Sequence, residues 1–325
     1  MGSAVQMISV IVCTYNRCEI LKLTLESFRL QQDAQDVPWE IVVVDNNSKD
    51  RTAEVVAAFA GRIPVPVRYV FEPKQGLSHA RNTGINEAKG DILAFTDDDV
   101  LVDKRWIAEI AKTFALRGCS GAGGKVGVDW PCSPPSWWVS SGPYRILPGV
   151  LARYDWGDQE KECGGDVLPP FGANMIFRKS MFERYGGFKT EIGRIGKKLL
   201  SGEDTEFGYR LMANKECLIY APNIVVSHPV DMNRLSKKYV ARWYFGMGLS
   251  YPYIHPLSDS TARFLCAPRW LYRQELVLLW KWLVAIVTRQ SQAEFFFKLQ
   301  LCNIAGKIVG YYQFYTKPLR SEKSG

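Results

Sequence analysis

Ile92-Leu93-Ala94-Phe95-Thr96-Asp97-Asp98-Asp99 carries four apolar residues almost directly into three adjacent carboxylates. An apolar run this short fits a buried strand when its neighbours repeat the pattern. Upstream, residues 8–12 lead into Thr14-Tyr15-Asn16 and residues 40–44 into Asp45-Asn46-Asn47, and residues 67–71 form another β-rich run. Residues 20–29, 51–59 and 77–88, lying between these runs, are amphipathic with a helical period. Strand and helix in strict turn predict an α/β fold with a mostly parallel sheet covered on both faces. In such sheets ligands sit beyond the carboxyl ends of the strands, which makes the three polar clusters the candidate site.

Further along, residues 130–170 break the rhythm with seven prolines among Trp130, Trp137, Trp138 and Trp156. A long irregular segment in a compact domain is usually functional, though the tryptophans could equally cluster with one another. The pattern then predicts a strand at 174–177, a helix from about 203 to 212, and short strands at 218–220 and 224–226. From Arg234 onward it predicts helix. The glycine-rich residues 121–127 match neither the dinucleotide nor the phosphate-loop spacing, and Asp129-Trp130-Pro131 follows where a helix should begin.

The chemistry concentrates in three places. Three adjacent carboxylates at a strand end repel one another unless a cation lies among them, and Mg2+ or Mn2+ takes one or two carboxylates plus phosphate oxygens. Asp97, Asp98 and Asp99 are therefore candidates for holding a metal-diphosphate, against the plainer reading of a solvated turn or helix cap. Gly202-Glu203-Asp204 puts carboxylates in the first turn of a helix, where the helix dipole favours them in any case. Asp204 is also placed to act as a general base if it faces the cleft. His228 follows an apolar run, so it is either a further metal ligand or a packed side chain.

Charge and composition divide the chain. Residues 1–230 carry 27 Lys and Arg against 28 Asp and Glu, whereas residues 231–325 carry 14 against 5. The basic tail also holds Trp270, Trp280, Trp282, the run Phe295-Phe296-Phe297 and several tyrosines, a mixture that suits an anionic membrane surface better than nucleic acid. The apolar stretch 276–288 is too short to span a bilayer, and is expected to lie on a membrane or pack as a hairpin. Residues 292–315 place Phe295, Leu299, Cys302 and Gly306 on one helical face, and Gly306 with Gly310 suggests close helix packing. An oligomer contact is the alternative use of this tail. Eight cysteines without a CxxC pair and only three histidines exclude a zinc finger and fit reduced cytoplasmic thiols. These readings place the chain in the cytoplasm, peripheral to the inner face of the membrane.

In this order, the segments 9–17, 40–52, 76–84, 88–99 and 202–204 resemble glycosyltransferase family 2, over about residues 7–230. The resemblance implies the GT-A fold, a Rossmann-like sheet flanked by helices, followed here by a helical extension at 231–318. It implies inverting transfer of a sugar from a nucleotide-sugar, a UDP-sugar by family habit, to an acceptor hydroxyl. Thr14, Tyr15 and Asp45 would hold base and ribose, Arg81 the ribose or diphosphate, Asp97 and Asp98 the donor, and Asp99, Asp97 and His228 the Mn2+ or Mg2+. Asp204 would be the catalytic base, and Gly172-Ala173-Asn174 would match the strand before the acceptor site. The implied acceptor is a polyprenyl-linked or cell-surface glycan precursor. Arg242-Trp243 lacks the preceding glutamine of the processive Q-x-x-R-W pattern, which predicts addition of one sugar. A nucleotidyltransferase and an inactive nucleotide-sugar-binding scaffold remain the competing readings.

Overall fold

The structure is a computed structural model that describes residues 6–194 and 201–316. The described residues form two compact units. One is built from those within Met1–Cys132, Leu151–Gly196 and Glu203–Asp231, the other from those within Ser133–Val150, Lys197–Gly202 and Met232–Gly325. The last two residues of the predicted extension, 317 and 318, lie outside the described residues.

The first unit runs β1 Ile8–Thr14, α1 Cys18–Phe28, β2 Trp39–Asp45, α2 Thr52–Ala60, β3 Val67–Phe71, α3 Leu77–Glu87 and β4 Ile92–Asp97. It continues with β5 Leu101–Val102, α4 Trp106–Leu116, β6 Gly121–Asp129, β7 Lys161–Glu162, β8 Met175–Arg178, α5 Lys179–Tyr185, α6 Glu203–Ala213 and β9 Leu218–Pro229. One sheet takes the order β3-β2-β1-β4-β8-β6-β9-β5, with β7 also on β9. The first four strands are parallel, as strict strand-helix alternation requires, because each return crosses through a helix. β8 enters antiparallel between β4 and β6, and β6 runs parallel to β9. The glycine-rich run is thus a sheet strand.

Both faces of the central strands β1, β2 and β4 are buried, and the side-chain alternation shows why. Val10 and Val12 of β1, Ile41 and Val43 of β2 and Ala94 of β4 join one core with Leu21, Leu25, Phe28 and Trp106. Ile11, Val42, Val44, Leu93 and Phe95 point the other way, into a core with Ala80, Ile85, Phe177 and Phe207. A strand buried on both sides reads as a continuous apolar run. The two short strands expected at 218–220 and 224–226 are one strand, β9. Its pairing with β6 shifts register between Gly124 and Lys125. Asn174 fills that gap, donating to the carbonyls of Lys125 at 3.1 Å and Ile224 at 2.8 Å while accepting the Trp106 indole N–H at 3.0 Å.

The second unit holds α7 Lys237–Ile254, a hairpin of β10 Arg263–Phe264 and β11 Ala267–Pro268, α8 Arg269–Val287 and α9 Ser291–Thr316. α9 crosses α7 at small residues, where a Cβ on Gly306 would overlap the Phe245 carbonyl and one on Gly310 would press on Leu249. Phe295, Leu299 and Gly306 are buried and Cys302 is half-buried, so the predicted apolar face of α9 is its packing face. Trp137 packs edge-on against Phe295 at 5.2 Å, which uses that tryptophan in an aromatic cluster.

Candidate active site

The carboxyl ends of β1, β2 and β4 bring the polar clusters together because the strands are neighbours in register. Thr14 lies opposite Asp45, and Cys13 opposite Asp97. The loop after β1 is tied to the loop after β2: the Asn16 amide donates to Ser48 Oγ at 2.8 Å, and the Lys49 amide to Asn16 Oδ1 at 2.6 Å. Asn16 takes φ +52, a left-handed conformation that asparagine tolerates better than most residues. Tyr15 is left 38% exposed at the rim. Asp45 is buried and accepts the Tyr69 hydroxyl at 2.7 Å and the Ser48 amide at 2.8 Å. Burial, together with that bond to Asp45, pushes the Tyr69 phenol up to about 12.

The three aspartates after β4 do different things. Asp98 is buried, accepting the Thr14 hydroxyl at 2.7 Å and Arg17 Nη1 at 2.6 Å. Burial pushes its carboxyl up to about 7, against the opposing pull of Arg17. Arg17 also donates through Nη2 to Asp99 Oδ2 at 3.0 Å, so one guanidinium bridges two carboxylates. The burial of Arg17 works against its charge, but Asp98 and Asp99 more than compensate and raise its pKa. The other oxygen of Asp99 stands 3.6 Å from His228 Nε2. That approach follows from β5 pairing antiparallel with β9, Leu101 opposite Ser227, immediately after the aspartates. Asp97 turns to Arg81 Nη2, 3.5 Å away.

Arg81, on α3, is the hub of the other half of the site. It is buried, and its Nη1 donates to Glu203 Oε1 at 2.6 Å. Burial and the neighbouring Asp204 push the Glu203 carboxyl up, while Arg81 pulls it down. Asp204 opens α6 beside Glu203 and accepts the Gly172 amide through Oδ2 at 2.6 Å. Gly172 has no room for a side chain: a Cβ there would overlap the Arg81 guanidinium and sit 3.1 Å from Asp204 Oδ2. Beneath these groups, burial pushes the Cys13 thiol up to about 12, so it stays protonated at neutral pH and is a poor nucleophile.

Thr14, Arg81, Asp97, Asp98, Asp99, Asp204 and His228 thus form two linked clusters, one around Arg17 and one around Arg81, joined by consecutive aspartates, while Asp45 bonds instead to Tyr69 and Ser48. Asp98 is committed to Thr14 and Arg17 and braces the loop. Arg17 is the member to which sequence reading gives no role, and Glu203 and Gly172 are read only as motif members, without the partners they hold here. Their partners lie 81, 122 and 32 residues away in the chain, where no local spacing can signal them.

The donor set can be judged against a divalent cation. Among the described residues no three His, Cys, Asp or Glu side chains converge to cage a metal by themselves. Asp99 and His228 do converge, with Asp97 two residues before Asp99, offering carboxylate oxygen and imidazole nitrogen. This set fits a Mn2+ or Mg2+ ion that takes most of its shell from phosphate and water, and it does not fit a self-sufficient structural site.

Comparison with known proteins identifies the family and the fold. The family model described as Glycosyl transferase family 2 matches residues 9–186. The succinoglycan biosynthesis protein ExoM of Rhizobium meliloti is 27% identical over 241 residues, 74% of this chain and 72% of that protein. A glucosyl-dolichyl phosphate glucuronosyltransferase of Haloferax volcanii is 28% identical over 225 residues, 68% of each. Among solved structures, the mannosyltransferase PcManGT from Pyrobaculum calidifontis, in complex with GDP-Man and Mn2+, superimposes with a TM-score of 0.56 at 19% identity. The superposition covers 93% of this chain and 88% of that one, and at this identity it speaks to the fold, which is GT-A.

Proposed function

The chain belongs to glycosyl transferase family 2 and is a glycosyltransferase, and on that premise we propose that it moves one hexosyl unit, with inversion, from a UDP-sugar to a hydroxyl of a lipid-linked or cell-surface glycan precursor. The observation that carries the reading is the cluster in which Arg81 bonds Glu203 and approaches Asp97 while Asp204 is pinned beside it on the Gly172 amide. One carboxylate at the start of α6 is thereby held at a fixed distance from the groups that would face a diphosphate. We divide the chain into this transferase domain, residues 7–230, and a helical extension from 231 to 318.

In this reading Tyr15 stacks on the base, Thr14 and Asp45 border the ribose, and Arg81 with Asp97 steadies the diphosphate. Asp99 and His228, together with Asp97, would hold Mn2+ or Mg2+. When bound, such an ion stabilises negative charge on a departing diphosphate. Asp204 accepts the proton of the acceptor hydroxyl as its oxygen attacks the anomeric carbon, and the bond to the diphosphate oxygen breaks in the same displacement. No second carboxylate is needed for this chemistry, because no covalent glycosyl intermediate forms. The relative named for glucosyl-dolichyl phosphate supports a polyprenyl-linked acceptor. The basic, aromatic extension supports a peripheral site on an anionic membrane, with the transferase on its cytoplasmic side.

Asp204→Asn tests the assignment, since it keeps size and removes basicity. Transfer from a UDP-sugar panel to polyprenyl-diphosphate-linked acceptors should fall by about 10²–10⁴ while donor binding is unchanged. Full activity in the variant would remove Asp204 from the role of base.

A further inference from the structure

α8 is turned inside out. Of its nineteen residues only Leu271 and Ala285 are buried, with Leu278 partly so between them. On the opposite face, Leu276, Trp280, Leu283 and Val287 are 67%, 65%, 49% and 82% exposed. Their spacing of four, three and four residues places them in one stripe. Exposed Val277, Leu279, Val284 and Ile286 widen that stripe on both sides. A soluble helix ordinarily presents its apolar arc to the core and its polar arc to water. An outward apolar face of this extent marks an interaction surface.

The preceding hairpin extends the same surface. Phe264 and Leu265 at its tip are 56% and 64% exposed. The hairpin is fixed to α8 by Tyr272, whose hydroxyl donates to the Phe264 carbonyl at 2.9 Å and whose ring lies 5.4 Å from that of Phe264. The tip and the helix therefore form one continuous apolar edge.

We propose that α8 and the β10–β11 tip dock the chain on an anionic bilayer, with α8 lying in the plane of the interface. This rests on the reading of a membrane-linked acceptor. Three observations choose a bilayer over a second copy of the chain. The apolar arc is broader than the two positions per heptad that a paired-helix seam uses. Residues 263–316 carry seven Lys and Arg against two Asp and Glu. Arg269 and Arg273 at the start of α8 and Arg289 just past its end can reach lipid phosphates while their stems follow the apolar edge. No described helix is long and apolar enough to cross a membrane, and α8, about 28 Å long, is suited to lying flat.

The test uses the full chain and its triple variant Leu276→Ser/Trp280→Ser/Val287→Ser, in which only exposed side chains change. Wild type should co-sediment with vesicles containing phosphatidylglycerol, more weakly with pure phosphatidylcholine, and less as salt rises. The variant should lose at least about tenfold in partitioning for the removed apolar contacts, with an unchanged melting temperature. Failure of the wild type to bind, or equal binding by the variant, overturns the proposal. So does a wild-type dimer that the variant converts to monomer without any lipid binding in either. UDP binding measured on the same samples separates the two ideas. Its retention without lipid binding removes the docking and leaves the UDP-sugar reading, whereas lipid binding without UDP binding keeps the docking and removes the UDP-sugar donor.

Discussion

Arg17→Met removes the guanidinium that bridges Asp98 and Asp99 at 2.6 and 3.0 Å while keeping most of the volume of the stem. Taking one partner from a buried ion pair costs about 3–5 kcal/mol, because the remaining charge stays in a poor solvent. Here the carboxylates are 5% and 10% exposed but the Arg17 side chain is 32% exposed, so water screens part of the loss. About 2 kcal/mol is the reasonable expectation. For a unit of roughly two hundred residues this is a fall of about 4–8 °C in melting temperature. Mn2+ supplied alone should then act more strongly on the variant than on wild type, because it no longer shares Asp99 with a competing cation. Ion at a hundred times its dissociation constant adds about 2.7 kcal/mol to the state that binds it. The assay is thermal denaturation with and without Mn2+, with Arg17→Lys as a control that retains charge without the bidentate fork. An Arg17→Met protein that melts like wild type, or that gains less from Mn2+ than wild type does, refutes the reasoning.

Two further outcomes follow from the same geometry. Gly172→Ala drives a methyl group into the buried Arg81 guanidinium and towards Asp204, so turnover should fall by about 10²-fold from sub-ångström to ångström misplacement, with a stability cost of about 1–3 kcal/mol; steady-state kinetics and a melting curve check both. Glu40 is 1% exposed. Its burial would raise its pKa, but bonds from Arg68, the Lys89 amide and Ser9 outweigh this and hold it below the usual carboxylate range. That stabilisation is present above the unfolded value of about 4.3 and is lost as pH falls through the folded value. Glu40→Gln should therefore cost about 2 kcal/mol at pH 7 and flatten the acid limb of stability, read from melting temperatures across pH.

The fold was legible where the pattern is local. The strands 8–12, 40–44 and 92–95 showed themselves because burial on both faces forces continuous apolar runs, the edge strand 67–71 by its valines and aromatics, and each structured strand contains or matches its predicted run. The antiparallel entry of β8 was not legible, since strand direction depends on where a connection returns. The division of β9 into two runs had a physical source: Ala221-Pro222-Asn223 interrupts the apolar pattern, and the bulge is bridged by Asn174 from another element. In the tail, the face carrying Phe295, Leu299 and Gly306 was readable from helical period. The outward face of α8 was not, because apolar residues look alike in sequence whether they meet a core or solvent. At the site, carboxylates at strand and helix ends stood out, but the arginine that bridges two of them, Arg17, did not. Arg17 looks like any other basic residue until the sheet brings Asp98 and Asp99 to it, and Arg81, marked by the family motif, shows its bond to Glu203 only in the fold.

The most direct measurement is the melting temperature of the wild type and of Asp99→Ala with UDP, GDP, TDP or CMP, each with and without Mn2+. The account predicts that UDP stabilises the wild type in a Mn2+-dependent manner and that Asp99→Ala loses the response, as mass action requires of a ligand that binds only the folded site. No stabilisation by any nucleotide in either condition, or an undiminished Mn2+-dependent response in Asp99→Ala, would contradict it.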